Sequence, residues 1–571
     1  MNRCRMPHKR PSVRWLLLVS IVVALAPQAD AFCPSMCQCD DSALEASCAG
    51  ARLDSVPILL NPSLRSLHLA HNRIASLRQS VSFYGELRRL DLSHNVLHSL
   101  GLLHFQPLGH LEWLNVSNNL VSSLEAESFS GLRSLTVLDL SANRLTRLTD
   151  DLFAELPSLT TLVLSRNKIQ TVAVGAFESL RQLHTLHLED NNLGHIPSVA
   201  LVPLAGSLQS LHLGKNLIEA LEDGAFRHLA RLRILRLNDN AISVVDASAF
   251  DTLVSLDVLD LSFNRLDDVV QAFVSPLPVT QLDLSGNMWR QLPAAFLSGL
   301  PRLQTLNISY MEYLRSVDVA VFHSTPLGAV NGSTPRALPL VNLVMTNNAL
   351  WNHLPPGIFR GGLHSHLVRL DLSGNAFETI EIDENMDWPH LRYLNVAYNP
   401  LECNCSLLWL WNMLHHRNHS ARLSEGIVVN VTCSGPPQYS GLPLSNLSQS
   451  ELLCSLALPV SVIVLLVILW LVLGAGLVVL VVFWRKRRIR RRESRLVMIK
   501  SSHHHDPFQH HNGTSPILGG KQLQYRVETS PAPSSYIHHH HLGHHQLAVN
   551  ARDEYTYHCA GTIKRIPVTV V

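Results

Sequence analysis

Leu87-Arg88-Arg89-Leu90-Asp91-Leu92-Ser93-His94-Asn95 is one copy of a nine-residue pattern, L-x-x-L-x-L-x-x-N, that returns at 135–143 and 159–167 and decides how the chain folds. Its closing position falls on Asn72, Asn95, Asn119, Asn143, Asn167, Asn191, Asn216, Asn240, Asn264, Asn287, Met311, Asn348, Asn375 and Asn399, which makes fourteen copies, mostly 23 to 25 residues apart. Repetition at this period marks a solenoid: no unit can bury its own apolar face, so neighbours must stack it away from water. One short strand per unit turns its alternate leucines, such as Leu138 and Leu140, inward and leaves Val137, Asp139 and Ser141 outward. The closing asparagine amide can then satisfy backbone groups where the chain leaves the strand, since a buried polar group without partners is costly.

This is the periodicity of leucine-rich repeats, and the fold expected is an α/β solenoid, a horseshoe whose strands line one concave sheet. Phenylalanines at 105, 129, 153, 177, 226, 250, 273, 296 and 322 recur on the opposite side and fill the thicker outer half of the coil. At about 4.8 Å per strand, fourteen strands give an inner edge of roughly 60–70 Å. A surface of that length suits a protein partner better than a metabolite.

Composition narrows the class. The chain has 571 residues, too many for one compact core, but a solenoid escapes that limit because each unit touches only its neighbours. A formal charge of +2 gives no general case for nucleic acid. Eight of the ten cysteines, Cys33, Cys37, Cys39, Cys48, Cys403, Cys405, Cys433 and Cys454, bracket the repeats, with none inside them. They read as disulfide-closed ends in an oxidising compartment.

In chain order, basic residues precede an apolar run from Trp15 to Ala26, and Ala29-Asp30-Ala31 offers a cleavage site, so residues 1–31 read as a signal peptide. Residues 32–62 carry C-x3-C-x-C-x8-C, whose spacing alone allows three pairings. The fourteen repeats occupy 63–399, interrupted after Phe322 by a 37-residue spacing in which 323–336 read as a loop insertion. Residues 400–455 hold the remaining bracketing cysteines and a run of leucines and tryptophans. From Ala457 to Trp484 no charged residue appears, long enough for a transmembrane helix. Seven cations follow between Arg485 and Arg492, which places the carboxy-terminal side in the cytoplasm and suits contact with anionic lipid. The tail, 485–571, lacks apolar periodicity beyond the basic run and reads as disordered. Its histidine runs, 503–505 and 538–541, read as low-complexity expansion rather than metal sites.

The two cysteine clusters resemble the flanking caps of extracellular leucine-rich repeat proteins. That resemblance implies bridges Cys33–Cys39 and Cys37–Cys48 at one end and Cys403–Cys433 and Cys405–Cys454 at the other, with Trp409 and Trp411 on a helix over the last coil. The C-x-C at 403–405 lacks a second pair at ligand spacing, so no metal and no cofactor are expected. The whole architecture resembles type I membrane leucine-rich repeat proteins, most of all the insect cell-surface recognition proteins of the Capricious and Tartan group. It implies a plasma-membrane adhesion or recognition receptor, active in cell-cell affinity or axon targeting. A Toll-like or other soluble-ligand receptor working through a co-receptor is the alternative. No spacing suggests catalysis, and an enzyme is not expected.

Recognition is expected on the concave face. Asn115, Asn307, Asn331, Asn404, Asn418, Asn430 and Asn446 begin N-x-S/T sequons on the luminal side, and glycans at Asn115 and Asn307 would stand on that face. Repeats four to ten stay open between them. There the outward strand position reads Asp139, Val163, His187, His212, Arg236, Asp260 and Asp283, with Arg166 and Lys215 adjacent. A basic and imidazole patch beside an acidic one would bind an extracellular or cell-surface protein, including a second copy of the chain. At the other end, Thr569 and Val571 match what a PDZ domain takes as an added strand, and Tyr555 and Tyr557 are phosphorylation candidates.

Overall fold

The computed structural model describes residues 33–452 and 460–499, apart from 79, 268–272, 274–275, 295, 325–335, 361, 383–385, 387 and 416–430. The repeats wind into a solenoid whose strands, from Ser66–His68 through Tyr393–Asn395, form one parallel sheet, one strand for each of the fourteen copies. Two cap strands, Gln38–Asp40 and Glu45–Ser47, pair antiparallel with each other and close its first edge. An open edge would offer unpaired N–H and C=O groups to any extended chain, and the cap removes that hazard. Bonds Cys33–Cys39 and Cys37–Cys48 hold the cap.

Inside the coil, the strand leucines are shielded from solvent, as are the convex phenylalanines. Successive rings lie 5.8 Å apart at Phe129 and Phe153, 6.3 Å at Phe153 and Phe177, and 6.2 Å at Phe226 and Phe250. Ring contacts at such distances add to what burial alone contributes.

The asparagines form the expected ladder. The Asn119 Nδ2 group points at the carbonyls of Leu92, Val116 and Ser117 at 3.0–3.1 Å, and Oδ1 accepts from the Leu97 N–H at 3.0 Å. One amide therefore satisfies backbone groups in its own and the preceding coil. Just before each of these asparagines the backbone enters the left-handed region, for example at Arg166, Lys215 and Phe263. In that conformation the N–H can reach the next coil, as from Arg166 to Glu189 O at 2.9 Å. The conformation costs a non-glycine residue on the order of 1 kcal/mol, borne here by the surrounding bonds.

At Met311 the ladder slips while the sheet does not. Strands Thr305–Asn307, Asn342–Val344 and Arg369–Asp371 stay in register across the 37-residue spacing. The Met311 N–H donates to Asn348 Oδ1 at 2.9 Å, and the Asn348 N–H to Asn375 Oδ1 at 2.8 Å. Elsewhere the donor is two residues past the preceding ladder position, a spacing that resumes with Phe377 and Asn399. Methionine has no amide to offer, and Asn348 Nδ2 is left buried without a hydrogen bond. The insertion begins as a short antiparallel pair, His323–Ser324 with Arg336–Ala337; its tip, including Asn331, lies outside the described residues.

At the carboxy-terminal end, helix Leu408–His415 covers the last coil. Its Trp409 Nε1 donates to Ile380 O at 2.8 Å and Trp411 Nε1 to Leu447 O at 2.7 Å. Cys403 bonds Cys433. Cys405 is also disulfide-bonded, and Cys454 lies outside the described residues.

A second unit contains helix Val460–Ile499, of which Val462–Arg490 is long and apolar enough to cross a membrane. The helix runs through the basic residues to Ile499, so the disorder expected from residue 485 onward does not describe 485–499. Arginine, leucine and glutamate are good helix formers, and no proline or glycine interrupts them there. The signal-peptide residues and the tail beyond 499, with Thr569 and Val571, lie outside the described residues.

Candidate functional site

Parallel register brings the outward strand positions into single file. Asp139 pairs with Val163, Val163 with His187, His187 with His212, His212 with Arg236, Arg236 with Asp260, and Asp260 with Asp283. Asn115 and Asn307 continue the file at either end. Arg236 is exposed in the file, and Arg166 and Lys215 are exposed beside it. None of these three cations takes an ion pair among the described residues.

The two imidazoles are engaged with each other. Their rings stack with centroids 4.3 Å apart. His187 Nδ1 shares a 3.1 Å hydrogen bond with Glu189 Oε1, and His212 Nε2 shares one of 2.8 Å with Ser210 Oγ. Burial, together with the neighbouring His187 and Arg236 and against the attraction of Glu189, lowers the pKa of His212 to about 4. His212 is therefore neutral at pH 7, and Arg166, Lys215 and Arg236 carry the positive charge of the patch. Burial also pushes Glu189 upward, but its hydrogen bond with His187 and further polar contacts outweigh this, and its carboxyl titrates below the usual range.

The acids do structural work that their sequence positions did not suggest. In each D-L-S copy the aspartate Oδ1 accepts from the backbone N–H two residues on: Asp139 from Ser141 at 2.8 Å, Asp260 from Ser262 at 3.0 Å and Asp283 from Ser285 at 2.9 Å. Asp283 Oδ2 is taken as well, by Asn307 Nδ2 at 2.9 Å. Of the two acids proposed for partner contact, Asp260 is thus the better placed. Burial raises its pKa against the opposing Ser262 hydrogen bonds.

Reading strands alone missed the flank. The left-handed position before each ladder residue presents Asp190 between Arg166 and Lys215, Asp239 after Lys215, then Phe263 and Tyr310, which are 48% and 53% exposed. Their rings lie 6.3 Å apart because the intervening position is Gly286, where a Cβ would strike the Phe263 ring. The same column was visible in the sequence as the residue preceding the closing position of each repeat.

Of the glycosylation candidates, Asn446 is exposed and Asn115, Asn307 and Asn404 are half-buried. Asn404 Oδ1 accepts from the Ser406 N–H at 2.9 Å at a helix start. Asn331, Asn418 and Asn430 lie outside the described residues.

Comparison with known proteins agrees with this architecture. The leucine rich repeat family model matches six overlapping segments, 62–121, 85–145, 109–169, 133–193, 157–207 and 206–266. These matches lie within residues 62–266, and the chain is similar over part of its length to leucine-rich repeat cell-surface proteins. Leucine-rich repeat and fibronectin type-III domain-containing protein 4 of Rattus norvegicus is 33% identical over 29% of this chain and 23% of that protein. CD180 antigen of Mus musculus is 26% identical over 37% of this chain and 32% of its own length. Toll-like receptor 6 of Bos taurus is 25% identical over 38% and 28%. The chain thus spans less than a third of each. A leucine-rich repeat protein of Leptospira interrogans is 24% identical over 62% of this chain and 90% of that one, with a TM-score of 0.50, which speaks for the fold alone.

Proposed function

We propose that the chain is a single-pass cell-surface recognition receptor that binds an extracellular protein through the concave face of repeats four to ten. The observation that carries this reading is the uninterrupted file from Asp139 to Asp283, with exposed Arg236 in it and Arg166 and Lys215 beside it. Seven strands span about 30 Å, a length on the scale of a standard protein interface. Opposed charges along that length would steer a complementary surface and raise its rate of encounter. The same polarity allows two copies to meet by antiparallel pairing of basic and acidic ends.

The basic run after the apolar helix supports an orientation with the repeats outside the cell, and it would contact anionic lipid on the inner leaflet. The resemblance to the Capricious and Tartan group favours cell-cell affinity or axon targeting as the setting. The similarity to CD180 antigen and Toll-like receptor 6 favours a second reading, a soluble-ligand receptor acting with a co-receptor.

The test is mixed-cell adhesion with the chain displayed on one population or on both. Reversal of Arg166, Lys215 and Arg236 to glutamate should lower adhesion about tenfold at equal surface display, with the loss shrinking at high salt. Unchanged adhesion would remove the charged file from consideration.

A further inference from the structure

Two histidines stacked in neighbouring repeats occur at His71–His94 as well as at His187–His212, with centroids 4.2 and 4.3 Å apart. The pairs differ in what stands next to them. Beside the second pair, Glu189 leaves the strand that carries His187 and turns its carboxylate onto the imidazole, Oε1 lying 3.1 Å from Nδ1. One nitrogen from each histidine and one oxygen of Glu189 all lie within 4.8 Å of one another, the only such trio of metal-binding side chains among the described residues.

We propose that His187, Glu189 and His212 form a binding site for a zinc-class divalent cation on the concave face. Two imidazoles and a carboxylate are a donor set that Zn2+ accepts in tetrahedral geometry, with bonds of about 2.0–2.2 Å. Such bonds place neighbouring donor atoms roughly 3.3 Å apart. The His187–Glu189 edge, at 3.1 Å, is already close to that length, and the other separations, none above 4.8 Å, need to shorten by at most about 1.5 Å. Two further features fit a ligand. Glu189 Oε2 is buried without a hydrogen bond of normal geometry, the Ser165 hydroxyl being the polar group near its carboxylate, and it keeps a lone pair that a cation would satisfy. Ser210 Oγ holds His212 Nε2 at 2.8 Å, the kind of outer partner that fixes the ring of a metal-ligating histidine. Three protein donors leave a fourth position free for water or an incoming side chain. The site goes beyond the recognition reading and does not depend on it, because the chain alone supplies the three donors.

The experiment is residue-resolved histidine modification by diethyl pyrocarbonate on the full chain in detergent, read by peptide mass spectrometry with and without micromolar Zn2+. Zn2+ should slow modification of His187 and His212 at least tenfold and leave His71 and His94 unchanged in the same sample, so that binding by tail histidines does not enter the reading. Glu189→Gln should raise the Zn2+ concentration needed for protection at least tenfold. His212→Gln, read at His187, supplies a second variant should the first fold poorly. Equal modification with and without Zn2+, equal protection of both pairs, or protection indifferent to Glu189→Gln would each overturn the assignment. No partner is present in this measurement, so its failure is distinct from failure of the adhesion reading.

Discussion

Between Asn95 and Asn287 the asparagine ladder and the strand sheet advance together, each amide bonding at the same offsets in every coil. Between Met311 and Asn375 the strands keep their register while the ladder bonds shift by two residues and Asn348 Nδ2 is left unpaired. The difference separates two jobs that the regular coils merge. Ladder amides stabilise the turns, and strand pairing sets which side chains share the concave face. Because each coil interacts only with its neighbours, a local ladder defect stays local. Damage to the ladder or the core should therefore weaken the fold without moving the charged file, and reversal of the exposed cations in and beside the file should leave the fold intact.

Three changes test that separation. The largest effect is expected from Phe153→Ala, which opens a cavity between Phe129 and Phe177 and should cost about 3–5 kcal/mol, seen as a lower thermal unfolding midpoint of the full chain in detergent. Asn143→Ala should come next, at about 2–3 kcal/mol, because it strands the Val121 N–H and removes one of the two amide donors to each of the Val116 and Leu140 carbonyls. Asn348→Ala should cost only about 1 kcal/mol, since the side chain makes one ladder bond, accepted from the Met311 N–H, and the Asn348 N–H keeps its bond to Asn375. Equal losses at Asn143 and Asn348 would break the comparison, showing the two ladder segments to be equivalent.

The sequence made the repeat count and strand positions legible, because a solenoid writes its geometry into a fixed period. The pairings Cys33–Cys39, Cys37–Cys48 and Cys403–Cys433 needed the family resemblance, since spacing alone allowed other partners. The file from Asp139 to Asp283 was also legible, as period-2 alternation names the outward residue of each strand. What each member does was not. The D-L-S bonds, the neutrality of His212 and the Asn307–Asp283 contact depend on side-chain rotamers and on neighbours about 24 residues away, which no local spacing encodes. Glu189 escaped notice for the same reason. It lies past the strand end and acquires meaning only once His187 and His212 are stacked. The continuation of the apolar helix to Ile499 was missed because composition reports polarity, whereas good helix formers can extend a helix already begun.

The D-L-S copies also allow the most direct test of the recognition surface. Asp260→Asn turns Asp260-Leu261-Ser262 into a glycosylation sequon at the acidic end of the file, and asparagine can keep the Oδ1 bond to residue 262, as Asn115 does with Ser117. With the glycan attached and surface display unchanged, adhesion of cells bearing the chain should fall to background. Enzymatic removal of the glycan, which leaves aspartate at 260, should restore it. Full adhesion by the glycosylated chain would contradict recognition through the concave face.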